Sequence, residues 1–301
     1  MPTRLMFIGE NRIIDSVLTL RYDRFLLPRP DRTIIYCSDL LDIDYIRSLY
    51  RKYQINTQGF EFYHDRDLLA QHADGYLVKN DCFITHWYLK QQLYKLMALD
   101  MCNDNHVLIA DCDRFCVQPY QYFEHDNPVL FGIGSDITNL VNYSEIYNQA
   151  FGHPNECYRY ITQLTGMQDF YKGGWASEFL PITKSQWIDL KIHIEKYCKT
   201  SWVTAILTAL RCGNSYDFSE YCLLAQWLLQ YNGTQVINPI QIGLEDVIYR
   251  QIKDRNFSTV ICMPRNGALI DVRQFRTLGI SRHEPFTFED IDYIYNTLAL
   301  V

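Results

Sequence analysis

Short apolar runs alternate with longer amphipathic stretches through the first half of the chain. Leu5–Gly9, Thr33–Cys37, Phe60–Tyr63 and His106–Ala110 are compact apolar runs with the length and composition of strands. Between them, Ile43–Tyr53 places Ile43, Ile46, Leu49 and Tyr50 at helical spacing. Thr85–Met101 does the same with Trp87, Leu89, Leu93, Leu96, Met97 and Leu99. Alternation of this kind predicts a mostly parallel sheet covered by helices. The second half reads as more helical. Glu145–Leu164 is a predicted helix interrupted at Gly152-His153-Pro154, and Lys184–Cys198, Trp202–Arg211 and Ser219–Tyr231 are three more. Ser219 is placed to cap the last of these, with Cys222 three residues on. Val129–Gly134, Trp175–Ile182 and Thr259–Met263 are candidate strands, and Phe288–Leu298 a terminal helix.

No repeat, low-complexity tract or Gly/Ser linker divides the 301 residues. One domain is therefore expected, with a first half to about residue 135 and a second from about 136 to 301. The net charge of −7 removes general nucleic-acid binding from the candidate functions, because that needs a basic face to displace phosphate counterions. No apolar run approaches the roughly 18 residues of a membrane span, and the apolar stretch after Met1 is too short for a secretory signal. The chain reads as cytoplasmic. The ten cysteines contain no Cys-x-x-Cys pair and sit mostly in apolar runs, so buried reduced thiols are expected rather than structural zinc. Aromatic residues are abundant, at 23 Tyr, 16 Phe and 5 Trp. They serve a core as readily as a sugar or base pocket.

Val107-Leu108-Ile109-Ala110 runs directly into Asp111-Cys112-Asp113. Four consecutive apolar residues suit a central strand buried on both faces. Ligands of open α/β sheets bind beyond the carboxyl ends of such strands, so Asp111 and Asp113 are expected at that rim. Two carboxylates so close repel each other, and a hard divalent cation, Mn²⁺ or Mg²⁺, relieves the repulsion while holding diphosphate oxygens. The plain alternative is a loop in which each Asp caps a turn.

An Asp-x-Asp after a hydrophobic strand resembles the signature of nucleotide-sugar glycosyltransferases with the GT-A fold. Trp87-Tyr88-Leu89-Lys90-Gln91-Gln92-Leu93-Tyr94-Lys95-Leu96, Val107–Asp113 and Phe218-Ser219-Glu220-Tyr221 together are similar to one bacterial branch of these enzymes, in surface-polysaccharide synthesis. The resemblance covers about residues 80–235 and is loose elsewhere. It implies a GT-A-like, Rossmann-like α/β domain with a nucleotide-binding first half and an acceptor- and sugar-binding second half. It implies transfer of a sugar from a nucleotide-diphosphate-sugar donor to a hydroxyl on a glycan or lipid-linked glycan, with inversion slightly favoured. Lipid-linked acceptors leave peripheral contact with the inner membrane open. The Lys184–Lys199 stretch mixes basic residues with Asp189 and Glu195, which suits a solvated face.

The remaining candidates take their roles from this frame. Tyr88, Gln92, Lys95 and Leu99 share a helix face. Gln92 and Lys95 are expected to reach the nucleotide or its phosphates, against the alternative of a solvated flank. Glu220 is the candidate general base, with Asp217 its neighbour as the alternative, because inverting transfer needs a carboxylate to take the acceptor proton. A carboxylate at a helix start is also favoured by the dipole alone. Trp175, after Gly173-Gly174, is a candidate for stacking on the sugar, or a core residue after a turn. His283 is a candidate third metal ligand, or a surface residue. Asp39, after the second strand, is a candidate for the base or ribose. Two other classes compete. A nucleotidyltransferase or sugar-phosphate transferase also uses metal-bound carboxylates, but Gly9-Glu10-Asn11-Arg12 lacks a glycine-rich phosphate loop. The other is a non-catalytic glycan- or nucleotide-binding protein on a transferase scaffold.

Overall fold

The computed structural model describes residues 2–81, 87–116, 119–124, 126–131, 154–168, 179–211 and 218–231, with short strand pieces at 236–237, 261–262, 270–271 and 277–279. Its centre is a five-stranded sheet. The strands are β1 (Thr3–Ile8), β2 (Arg32–Cys37), β3 (Phe60–His64), β4 (His106–Asp111) and β5 (Phe179–Thr183). They lie in the order β5, β4, β1, β2, β3. The pairs of β1 with β2, β1 with β4 and β2 with β3 are parallel, and β5 runs antiparallel along β4. The helices are α1 (Ile13–Arg21), α2 (Ile43–Lys52), α3 (Asp65–Gln71), α4 (Gly75–Asn80), α5 (Trp87–Met101), α6 (Pro154–Thr165), α7 (Lys184–Cys198), α8 (Trp202–Arg211) and α9 (Glu220–Tyr231). A mostly parallel sheet flanked by helices, with α6 to α9 in the second half, is the α/β architecture expected from the sequence.

The two faces of β4 explain its apolar run. Val107 and Ile109 pack with Leu5 and Phe7 of β1 and with α5, α7, α8 and α9. Leu108 and Ala110 face the opposite layer, with Leu26, Tyr120, Tyr122 and Phe179. A strand buried on both sides has no polar face, hence four apolar residues in a row. β1 follows the same rule with two polar exceptions, Thr3 and Arg4. Arg4 is fully buried and is held by Asp23 at 2.5 and 2.8 Å and by Thr33 at 3.2 Å, so its charge is compensated where it lies.

The parallel register carries the functional consequence. Ile8 lies beside Cys37, Cys37 beside His64, and Phe7 beside Asp111. Four strands thus end together, and the residues that follow them share one rim. Those residues are Glu10 and Arg12 after β1, Asp39 after β2, Asp65 after β3 and Asp113 after β4.

Local expectations hold where they can be checked. Pro154 is the first residue of α6, a position that needs no backbone donor and suits a fixed φ. The hydroxyl of Ser219 accepts from the Cys222 amide at 3.3 Å, the predicted cap of α9. Among the described residues Cys37, Cys102, Cys112, Cys116 and Cys222 are buried free thiols, and Cys198 is partly exposed. No helix of the described residues is long and apolar enough to cross a membrane. The expected Phe288–Leu298 helix lies outside the described residues.

Candidate active site at the carboxyl rim of the sheet

α5 lies almost wholly inside the protein. Leu89, Leu93, Leu96, Met97, Ala98 and Leu99 are all buried, and so are Gln92 and Lys95. Polar groups enclosed in this way need partners, and α9 supplies them. The Gln92 side-chain oxygen accepts the backbone N–H of Glu220 at 3.2 Å. Lys95 Nζ lies 2.5 Å from Asp111 Oδ1 and 2.7 Å from Glu220 Oε1, and donates to the Tyr221 hydroxyl at 3.4 Å. The ammonium therefore makes two ion pairs and one hydrogen bond. It also sits 4.4 Å from the centre of the Tyr221 ring.

Lys95 and Glu220 are both 0% exposed. Burial alone would push the Lys95 pKa down, but Asp111 and Glu220 outweigh it and hold the ammonium well above its ordinary value. Burial pushes the Glu220 carboxyl up, against the pull of Lys95. Glu220 Oε2 has no hydrogen-bond partner among the described residues.

The Asp-Cys-Asp turn is fixed from a second side by α1, an element the sequence pattern did not suggest. Thr19 donates its hydroxyl to the Cys112 carbonyl at 2.7 Å. Arg12, just before α1, pairs with Asp113 at 3.0 Å and with buried Asp15 at 3.3 Å. Each carboxylate of the motif thus has its own cation, Lys95 on Asp111 and Arg12 on Asp113. The two cations differ sharply. The Lys95 side chain is 1% exposed and that of Arg12 35%, while those of Asp111 and Asp113 are 17% and 21% exposed.

Among the described residues Asp15, Asp111, Asp113 and Glu220 gather around Arg12 and Lys95. Asp111 and Asp113 are partly exposed, which leaves carboxylate oxygens within reach of a divalent cation, so the residues present fit the metal the motif implies. Among the described residues no group of three His, Cys, Asp or Glu side chains is gathered for a metal ion. His283, Asp217 and Trp175 lie outside the described residues.

Farther along the rim, Asp39 is exposed and its Oδ1 accepts the Arg66 amide at 3.0 Å. Beside it stands Asp65, which sequence reasoning missed, although the strand-end rule applied to His64-Asp65 would have found it. Asp65 is 5% exposed, and its Oδ1 has no hydrogen-bond partner among the described residues. Burial first, and then the charge of Asp39, push its carboxyl up to about 7 against the pull of Lys90. A carboxyl raised on folding adds stability below its unfolded value, and that contribution is lost as pH rises through the folded value. Asp65→Asn should therefore melt close to the native protein at pH 4. It should melt progressively higher than the native protein up to about pH 8, by a few kcal/mol at most. Melting curves across that range check this, and a constant offset would contradict it.

No known protein family and no curated protein matches the chain. Among solved structures it is similar to an active-site mutant of LgtC, at 13% identity and a TM-score of 0.45, covering 99% of this chain and 95% of that one. It is similar to the galactosyltransferase LgtC in complex with donor and acceptor sugar analogs, at 11% identity and 0.43, covering 99% and 96%. It is also similar to mouse xyloside xylosyltransferase 1 in its apo form, at 9% and 0.42, covering 86% and 92%. Likeness at this level assigns no residue, and the functional reading rests on the site itself.

Proposed function

We propose that this chain is a metal-dependent glycosyltransferase that moves a sugar from a nucleotide-diphosphate-sugar donor to a hydroxyl of a glycan or lipid-linked glycan, in surface-polysaccharide synthesis. The observation that carries the reading is the partly exposed pair Asp111 and Asp113 at the carboxyl rim of a mostly parallel sheet. Asp111 and Asp113 would hold Mn²⁺ or Mg²⁺. When bound, that ion supplies a clamp on the donor diphosphate and neutralises charge on the leaving group.

The protein's own part is positional. Lys95, braced by Glu220 and Gln92, holds Asp111 from below, and Thr19 and Arg12 hold the turn and Asp113 from the side. Asp39, with Asp65 beside it at the rim, is the candidate for the base or ribose. The predicted donor contacts become indirect in this account, for Lys95 through Asp111 and for Gln92 through the start of α9. Glu220 is enclosed and acts through Lys95. Asp217 remains the alternative for the proton-accepting carboxylate of an inverting transfer.

A thermal-shift screen tests the reading. A species that binds only the native state at 100 times its Kd adds about 2.7 kcal/mol. Nucleoside diphosphates or sugar nucleotides should raise the melting temperature with Mn²⁺ and far less with a chelator. A nucleoside diphosphate should then appear as product once an acceptor is supplied. Release of inorganic diphosphate would point to nucleotidyl transfer, and an absence of any shift across nucleotides would overturn the reading.

A further inference from the structure

Arg12 contributes a positive charge to the rim yet has no part in the expected donor contacts. Its guanidinium bridges Asp113 at 3.0 Å and Asp15 at 3.3 Å, and its side chain is 35% exposed. Asp15 is buried in α1 and anchors it from within. Lys95, the other cation, is enclosed and fully engaged by Asp111, Glu220 and Tyr221.

Charge arithmetic separates the two. A divalent cation on Asp111 and Asp113 cancels those two carboxylates and leaves little positive charge for a diphosphate. Further positive charge has to come from a group that can reach the bound oxygens. Lys95 cannot leave the buried Glu220 without stranding its carboxylate. Arg12 touches the very carboxylate the metal would take, is partly exposed, and stays tethered by Asp15 if Asp113 is withdrawn. A guanidinium also binds phosphate oxygens in a fixed two-pronged geometry.

We propose that Arg12 is a donor-positioning residue, which neutralises Asp113 in the empty site and passes to the donor diphosphate when a divalent cation takes Asp113. The inference rests on the metal-dependent reading above and adds to it a residue with two opposed effects. Arg12 competes with the metal alone, and it favours the metal together with a diphosphate.

The test uses the full chain and the variants Arg12→Gln and Arg12→Lys. Mn²⁺ binding is followed by the electron paramagnetic resonance of the free ion. Binding of UDP and GDP, with uridine and guanosine as phosphate-free controls, is followed by calorimetry at saturating Mn²⁺. Arg12→Gln should bind Mn²⁺ alone several-fold more tightly. It should bind the preferred nucleoside diphosphate on the order of 10- to 100-fold more weakly, with nucleoside affinity unchanged. Arg12→Lys should fall between the two and guards against a folding defect in the Gln variant. Weaker Mn²⁺ binding in both variants would make Arg12 a mere brace for Asp113 and overturn the proposal. So would equal loss of nucleoside and nucleoside diphosphate, or no change in either measurement. If native protein binds nucleoside diphosphate with no dependence on Mn²⁺, the metal-dependent reading itself fails, and the proposal with it.

Discussion

Asp113→Asn is expected to lower turnover by roughly two to three orders of magnitude while leaving the protein folded. A metal that clamps a diphosphate is worth several kcal/mol in the transition state, at about 1.36 kcal/mol per decade of rate. An amide in place of the carboxylate removes the charge that holds the ion and keeps the shape. Stability should hardly notice. Both Asp113 and its partner Arg12 are partly exposed, and ion pairs of that kind contribute about 1 kcal/mol or less. That amounts to a melting shift of about 2 °C in a chain of this size. Turnover within threefold of native would remove Asp113 from the metal site. A large melting loss would make it a structural residue instead.

Lys95→Met should have the opposite signature. It removes the cation shared by Asp111 and the fully buried Glu220. Stranding a buried charge costs about 3–5 kcal/mol, a large share of the roughly 5–15 kcal/mol that keeps a domain folded. A fall in melting temperature of about 6–10 °C follows. The effect has a pH signature. Burial already raises the Glu220 carboxyl, and losing Lys95 raises it further, because Lys95 is the charge that pulls it down. A carboxyl raised on folding favours the native state below its unfolded value, near 4.3, and that contribution disappears as pH climbs through the folded value. The deficit of Lys95→Met should therefore be smallest at acid pH and grow as the pH rises. Adding Glu220→Gln removes the stranded charge and should restore about 1–3 kcal/mol, measurable as a double-mutant cycle in urea. Additive losses with a pH-independent deficit would contradict the buried charge cluster.

The sheet and the position of its rim could be read from sequence, because a strand buried on both faces writes an uninterrupted apolar run and Asp111 follows one. The cap at Ser219 could be read because its partner is three residues away. α1 could not. Its Val17, Leu18 and Leu20 are apolar, but Asp15, Ser16 and Thr19 are buried as well, so polarity no longer marks the outer face. Two of those polar residues, Asp15 and Thr19, are the ones that fix Arg12 and the Asp-Cys-Asp turn. The pattern of α5 was readable, and it even placed Gln92 and Lys95 on one face. What that face meets was not, since the partner at the start of α9 is 128 residues from Gln92. Composition along one helix says that a buried lysine needs an anion, and only the fold says which.

The most direct measurement is an anomalous difference map from crystals grown with Mn²⁺ and a nucleoside diphosphate. The account predicts a manganese peak at ordinary metal–oxygen distance, about 2.1 Å, from a carboxylate oxygen of Asp111 or Asp113 and from diphosphate oxygens, with Lys95 still between Asp111 and Glu220. A diphosphate bound elsewhere, or a rim without manganese in which Arg12 still grips Asp113, would contradict it.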